Sequence, residues 1–165
     1  MEHSFEPIID RRSRLLILGS LPGAVSLKKN EYYANSLNRF WEIILSVLGR
    51  PLCTDYISKV MFLRENQIAL WDVIKSAERT GSSDNNIKAA IPNDIPKLFQ
   101  DHPGISFLIF NGRFSFNSYK KFFGKPQMPF EVLLSTSPAC AGRDKEKHDM
   151  WERALKGALG DYEKA

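Results

Sequence analysis

Four short aliphatic runs, spaced along the chain with helical patterns between them, limit the possible folds more than any other feature. Arg14 to Gly19 (RLLILG), Gln67 to Val73 (QIALWDV), Ile105 to Asn111 (ISFLIFN) and Phe130 to Ser135 (FEVLLS) have the length and aliphatic density of strands buried on both faces. Strands of that kind alternating with amphipathic helices predict an α/β fold with a mostly parallel sheet covered on both sides. Parallel strands all end on one edge. The loops beginning near Gly19, Asp72, Asn111 and Ser135 should therefore converge there, and they are rich in small, amide, hydroxyl and aromatic residues.

The helices follow from spacing. Asn38 or Ser36 is placed to cap a helix carrying Phe40, Ile44, Val47 and Leu48, which Gly49 and Pro51 stop. Thr54 to Asn66 is expected to be helical with Ile57, Val60 and Met61 on one face, and Asn93 to Gln100 is a shorter helix. An aromatic-rich helix follows Gly112 and ends at Gly124. The last helix presents Trp151, Ala154, Leu155, Ala158 and Leu159 to the sheet. Lys75 to Asn86 reads as a polar surface loop, and the alternating charges from Arg143 to Asp149 read as a solvated face.

At 165 residues the chain is expected to form one domain. Its 23 Lys and Arg against 19 Asp and Glu give a charge of +4, which permits a polyanionic partner without demanding one. Two cysteines, Cys53 and Cys140, are too few for a disulfide framework, an iron-sulfur cluster or a structural zinc of the four-thiolate kind. Cys53 reads as a small apolar residue in a reducing compartment. The first residues lack an apolar signal core and no apolar run approaches membrane-spanning length, so a soluble cytoplasmic protein is expected.

Several chemistries lack their residues. There is no GxGxxG after a strand, no GxxxxGK[ST] and no GxSxG elbow. His3, His102 and His148 have no ligand-like spacing, and the last two read as solvated. What remains at the strand ends can hold a water and stabilise charge through oriented dipoles, which suits cleavage of an N-glycosidic bond.

The motifs at those ends resemble the uracil-DNA glycosylase superfamily. Gly19 to Gly23 (GSLPG) resembles its first motif, Ser135 to Ala141 (STSPACA) its second, and Asn38 to Trp41 (NRFW) the intervening stretch of the mismatch-specific branch. Most of the superfamily has an Asp or Asn in the first motif to position the attacking water, where this chain has Leu21, an aliphatic residue that cannot do so. That substitution resembles the hypoxanthine-DNA glycosylases, in which an Asn matching Asn38 supplies the catalytic amide. Cys140 departs from the Asn associated with its position in that branch.

The resemblance implies a three-layer α/β/α domain with a four-stranded parallel sheet. The implied activity is removal of hypoxanthine from deoxyinosine in DNA by base flipping, without metal or cofactor. Uracil or mixed specificity is the alternative within the enzyme class, and a non-catalytic nucleic-acid-binding module is the alternative outside it. With no lysine at a matched catalytic position, hydrolysis should leave an abasic site with no Schiff-base step. A monomer acting on DNA that contains deaminated bases is expected.

Each implied role has a plainer competitor. Asn38 is either the water-positioning amide or a helix cap. Ser20, Leu21, Pro22 and Gly23 either line a base pocket or make an ordinary strand-ending turn. Tyr32 or Tyr33 stacks on the flipped base, or both belong to the core. Asp72 reads the base edge or caps a loop, and Asn111 is taken as structural. Ser135 and Ser137 would touch DNA, as would Ser82 and Ser83. The tip from Ala139 to Arg143, following Pro138, would enter the minor groove.

Overall fold

All four aliphatic runs become strands in the computed structural model, which describes residues 1–52, 55–140 and 142–163. In chain order, β1 (Glu2–His3) and β2 (Leu15–Gly19) precede the helices α1 (Ala24–Lys29), α2 (Phe40–Val47) and α3 (Tyr56–Glu65). Next come β3 (Ile68–Asp72), β4 (Ile74–Glu78), β5 (Lys88–Pro92) and α4 (Ile95–Asp101). The chain finishes through β6 (Phe107–Asn111), α5 (Arg113–Phe123), β7 (Phe130–Leu133) and α6 (Asp144–Glu163).

The fold is α/β with two sheets. The aliphatic strands pair in the order β3-β2-β6-β7, each pair parallel. Every residue of β2 is buried because alternate side chains serve opposite faces. Leu15 and Ile17 join Ile44, Leu63, Trp151 and Leu155 from α2, α3 and α6. Leu16 and Leu18 pack instead with Ile95, Leu98 and Tyr119 from α4 and α5. The final helix buries Trp151, Ala154 and Leu155, as its spacing predicts.

Three segments differ from expectation. Lys75 to Asn86 is not all surface loop: Ile74–Glu78 is β4, which pairs antiparallel with β1 and β5 in a second, three-stranded sheet. Only one large apolar residue, Ile74, marks β4, and its partner β1 lies at the far N-terminus, so no local pattern announces the pairing. Residues 24–29, where no helix is predicted above, form α1, closed by Asn30 in the left-handed region with its N-H on the Ser26 carbonyl.

In α3 the inner face is rotated from the expected one: of Ile57, Val60 and Met61 only Val60 packs against the core. Phe62 and Leu63 are buried, whereas Ile57 and Met61 are 69% and 53% exposed. Cys53, and Thr54 at the expected start of that helix, lie outside the described residues, as does Ala141.

The N-terminal arm also protects the β3 edge. Ile8 and Leu70 exchange backbone hydrogen bonds of 2.9 Å in an antiparallel bridge, which covers donors and acceptors that an edge strand would leave open.

Candidate active site

Parallel register sets Gly19, the last residue of β2, beside Asp72, the last of β3. A Cβ on Gly19 would lie 2.5 Å from Asp72 Oδ1 and 2.9 Å from the Tyr33 hydroxyl. Glycine is required there by close approach. The first turn, the β3 end and the stretch before α2 thereby share one cleft of about 320 Å³.

That cleft brings together most of the residues singled out from sequence. Ser20, Leu21, Pro22 and Gly23 line it, with Tyr32, Tyr33 and Asn38, Asp72, Ser82 and Ser83, and Ser135, Ser137, Pro138 and Ala139. Arg143 is not among its walls. It is exposed and its guanidinium pairs with Glu146 one helical turn away.

Asp72 is 4% exposed, and its pKa is raised to about 7, first by burial and then by the nearby Asp84, with Arg79 pulling the other way. Its Oδ2 is buried without a hydrogen-bond partner among the described residues. Its backbone is held, with the carbonyl accepting from Asn93 Nδ2 at 2.8 Å. A buried carboxyl with an unused oxygen in a cleft is a group waiting for a ligand atom.

Asn38 stands on the cleft wall at the start of α2. Its Oδ1 accepts the Phe40 N-H at 2.9 Å, so the amide supports the start of α2 while facing the cleft. That bond uses one lone pair and leaves the other, with both amide hydrogens, for water. The neighbouring Arg39 N-H donates to the Thr136 carbonyl at 3.0 Å, tying this stretch to the loop after β7.

The two tyrosines have different surroundings. Tyr32 is 3% exposed, its hydroxyl donates to the Glu6 carbonyl at 2.9 Å, and its ring meets Phe5 edge-on. Tyr33 has φ of 53°, an uncommon left-handed conformation for a bulky residue. Its ring stacks on Phe40 with centroids 4.1 Å apart, and its hydroxyl accepts from Asn111 Nδ2 at 3.1 Å. Burial, then the Asp72 charge, pushes the pKa of both phenols well up, so they stay neutral.

Asn111 is a brace. Its amide bonds both the N-H and the hydroxyl of Thr136 at 2.9 Å, joining the end of β6 to the second motif. Thr136 is fully buried, and the adjacent serines build successive turns: Ser135 Oγ accepts from Ser137 N at 3.1 Å, and Ser137 Oγ from Ala139 N at 3.2 Å. Lys147 corrects the solvated-face reading of its segment. It is 1% exposed and its ammonium donates to the Cys140 carbonyl at 2.7 Å, anchoring the loop from behind.

Sequence reasoning missed a second anchor. The Arg79 side chain is wholly buried, donating to the Pro22 carbonyl and pairing with Glu2 at 2.7 Å, with Asp84 Oδ1 3.9 Å away. Asp84 in turn accepts the Ser20 hydroxyl at 2.8 Å, and Ser82 Oγ accepts the Ala24 N-H at 2.9 Å. The run RTGSSDNN looks like solvent-facing loop, and only the burial of Arg79 distinguishes it.

The chemistry available in the cleft is hydrogen bonding by amides and hydroxyls, two carboxyls, Asp72 and Asp84, of which Asp72 has its pKa raised to about 7, and an aromatic face. Among the described residues, His148, Asp149 and Glu152 of α6 bring possible metal-ligand atoms within 4.8 Å of one another, but none lines the cleft. No helix among the described residues is long and apolar enough to cross a membrane.

Comparison with known proteins agrees with this geometry. The sequence model of the Uracil DNA glycosylase superfamily matches residues 6–157. A hypoxanthine DNA glycosylase of Methanosarcina barkeri is 35% identical over 156 residues, spanning 94% of this chain and 98% of that protein. One of Methanosarcina acetivorans is 32% identical over 157 residues, spanning 94% and 99%. A candidate uracil DNA glycosylase from Methanosarcina acetivorans, solved by solution NMR, superposes with a TM-score of 0.83 at 32% identity, covering 95% of this chain and 98% of its own. With its strand-end motifs meeting in one cleft and near-complete matches of this kind, the chain belongs to the uracil DNA glycosylase superfamily, in the branch of its hypoxanthine DNA glycosylases.

Proposed function

We propose that this protein is a monofunctional DNA glycosylase that hydrolyses the N-glycosidic bond of deaminated bases, foremost hypoxanthine, and leaves an abasic site. The observation that carries the reading is that Asn38 shares a cleft with Leu21, the aliphatic residue standing where most relatives place a water-orienting side chain. The scaffold is read as a three-layer α/β/α domain working as a monomer.

A flipped nucleotide would enter the cleft with its base against Tyr33, since a purine face gains stacking energy on an aromatic ring once it has left the duplex. Asp72 Oδ2 would meet a polar atom of the base edge. Asn38, pinned by the Phe40 N-H, would hold the water in line with the anomeric carbon. An amide is too weak a base to remove a proton early, so its contribution is orientation while the sugar becomes oxocarbenium-like. The bond breaks toward the base, which departs carrying the electron pair; water adds its hydroxyl to the anomeric carbon, and its remaining proton ends on the released base. The serines at 82, 83, 135 and 137 and the Pro138–Ala139 tip would contact the DNA around the extruded nucleotide.

The test is alkaline strand cleavage of a labelled oligonucleotide carrying one deoxyinosine, beside uracil-containing and undamaged controls, with wild type and Asn38→Ala. Inosine-selective cleavage that the variant loses supports the reading. Cleavage of uracil alone would favour the second reading, excision of uracil, which the description of the Methanosarcina acetivorans NMR structure favours. Cleavage of neither would leave a nucleic-acid-binding module.

A further inference from the structure

Asp84, on the connection between β4 and β5, is a cleft-lining acid with no part in the chemistry above. It accepts the Ser20 hydroxyl at 2.8 Å. Its carboxyl is partly withdrawn from water, which raises its pKa, while the Ser20 hydrogen bond and the Arg79 charge act to keep it ionised. The pair is braced at both ends. The Ser20 carbonyl accepts the Ile74 N-H at 3.1 Å, and the Arg79 guanidinium lies between Asp84 and the next turn carbonyl, Pro22.

A serine hydroxyl has one hydrogen and two lone pairs. With its hydrogen committed to Asp84, Ser20 offers the cleft only an acceptor, and the adjacent carboxylate makes that oxygen more electron-rich. Asp72 is not restricted in this way: with a pKa of about 7 it can donate as the acid or accept as the anion.

Deamination changes the polarity of one ring position. Adenine has a lone pair at N1 where hypoxanthine has N1-H, and cytosine has one at N3 where uracil has N3-H. We infer that Ser20 Oγ, oriented by Asp84, accepts the lactam N-H of a deaminated base and meets the ring lone pair of the parent base with repulsion. Ser20 is thus the residue that distinguishes damaged from undamaged bases by hydrogen-bond polarity, and Asp84 is its positioning residue. The assignment rests on the reading that the cleft receives a flipped base.

The experiment uses the full chain as wild type, Ser20→Ala, Asp84→Asn and the double variant. Single-turnover excision of deoxyinosine is measured beside amide chemical-shift titration with free hypoxanthine and free adenine. Ser20→Ala should slow excision by roughly tenfold to a hundredfold. In Asp84→Asn the new amide can donate to Ser20 Oγ and turn the serine hydrogen toward the cleft. The preference for hypoxanthine over adenine should then narrow or invert, an effect that loss of rigidity alone would not produce. The double variant should be no worse than Ser20→Ala, because the two residues act as one unit.

If wild type excises deoxyinosine while Ser20→Ala and Asp84→Asn keep its rate and preference, the inference is overturned and the glycosylase reading stands. If wild type excises nothing yet binds hypoxanthine preferentially, and the variants lose that preference, the inference stands and the enzymatic reading fails. Absence of both excision and preference overturns both. Should Asp84→Asn not fold, the outcome is decided by Ser20→Ala, a one-atom change at a half-buried turn.

Discussion

Gly19 and Asp72, paired across β2 and β3, approach so closely that a single added carbon on Gly19 would sit 2.5 Å from the Asp72 carboxylate. Gly19→Ala must displace that carboxyl and the Tyr33 hydroxyl, which the same carbon would meet at 2.9 Å. Overpacking of this kind costs about 1–3 kcal/mol, and excision should fall further than stability because the displaced groups are those lining the cleft. Urea unfolding and single-turnover kinetics on the same samples would separate the two. A variant with wild-type rate and stability would show that the neighbours yield freely.

Asp72 makes stability depend on pH. Its pKa is about 7 in the fold against an ordinary 3.8, raised first by burial and then by Asp84, with Arg79 opposing. Below about pH 4 both folded and unfolded chains carry it protonated, and its contribution is complete. As pH rises toward 7 the unfolded chain ionises first, so the native state loses stability across that window, on the order of a few kcal/mol. Asp72→Asn should flatten this part of the curve. Denaturant titrations between pH 4 and 8 check it, and equal slopes for the two proteins would contradict the burial argument.

Asn38→Ala should produce two separable losses. Removing the acceptor from the Phe40 N-H costs about 1 kcal/mol, as for a lost cap. Removing the amide proposed to orient the water should lower the excision rate by about 10²–10³-fold. Asn38→Asp keeps the acceptor and should recover stability, which thermal unfolding would read. Its rate distinguishes orientation by the amide from simple support of the helix.

Arg79→Met should be costly although the residue does not line the cleft. It strands the Glu2 carboxylate and frees the Pro22 carbonyl, and breaking a buried pair from one side costs about 3–5 kcal/mol. Partial exposure of Glu2 and Asp84 places the expected loss at the low end of that range. Glu2→Gln in the same background should add little further loss, a coupling that a double-mutant cycle measures.

Lys147→Met tests the opposite case. Among the described residues the ammonium has one hydrogen-bond partner, the Cys140 carbonyl, so an apolar chain of similar length should leave stability nearly unchanged. The loop it anchors should loosen, and amide hydrogen exchange at residues 137–140 should speed up. Unchanged exchange would mean the turns built by Ser135 and Ser137 hold the loop by themselves.

Much of the fold was legible because strand and helix periodicity are local properties. Leu15 to Leu18 could only be a doubly buried strand, and Trp151, Ala154 and Leu155 shared one face whatever they packed against. Local pattern failed in α3, where Phe62 and Leu63 competed with Ile57 and Met61 for the inward face and position relative to β3 settled it.

By itself the sequence determined the strands of the parallel sheet and placed the two motifs and Asn38 at strand and helix boundaries, because spacing encodes which face of an element a residue occupies. Tertiary structure alone decided that Asp72 is dry enough to titrate near 7, that Arg79 and Lys147 are buried, that Ser20 spends its hydrogen on Asp84, and that β1 crosses to β4. Desolvation and charge coupling depend on which atoms arrive from distant parts of the chain, and no window of neighbouring residues contains that information.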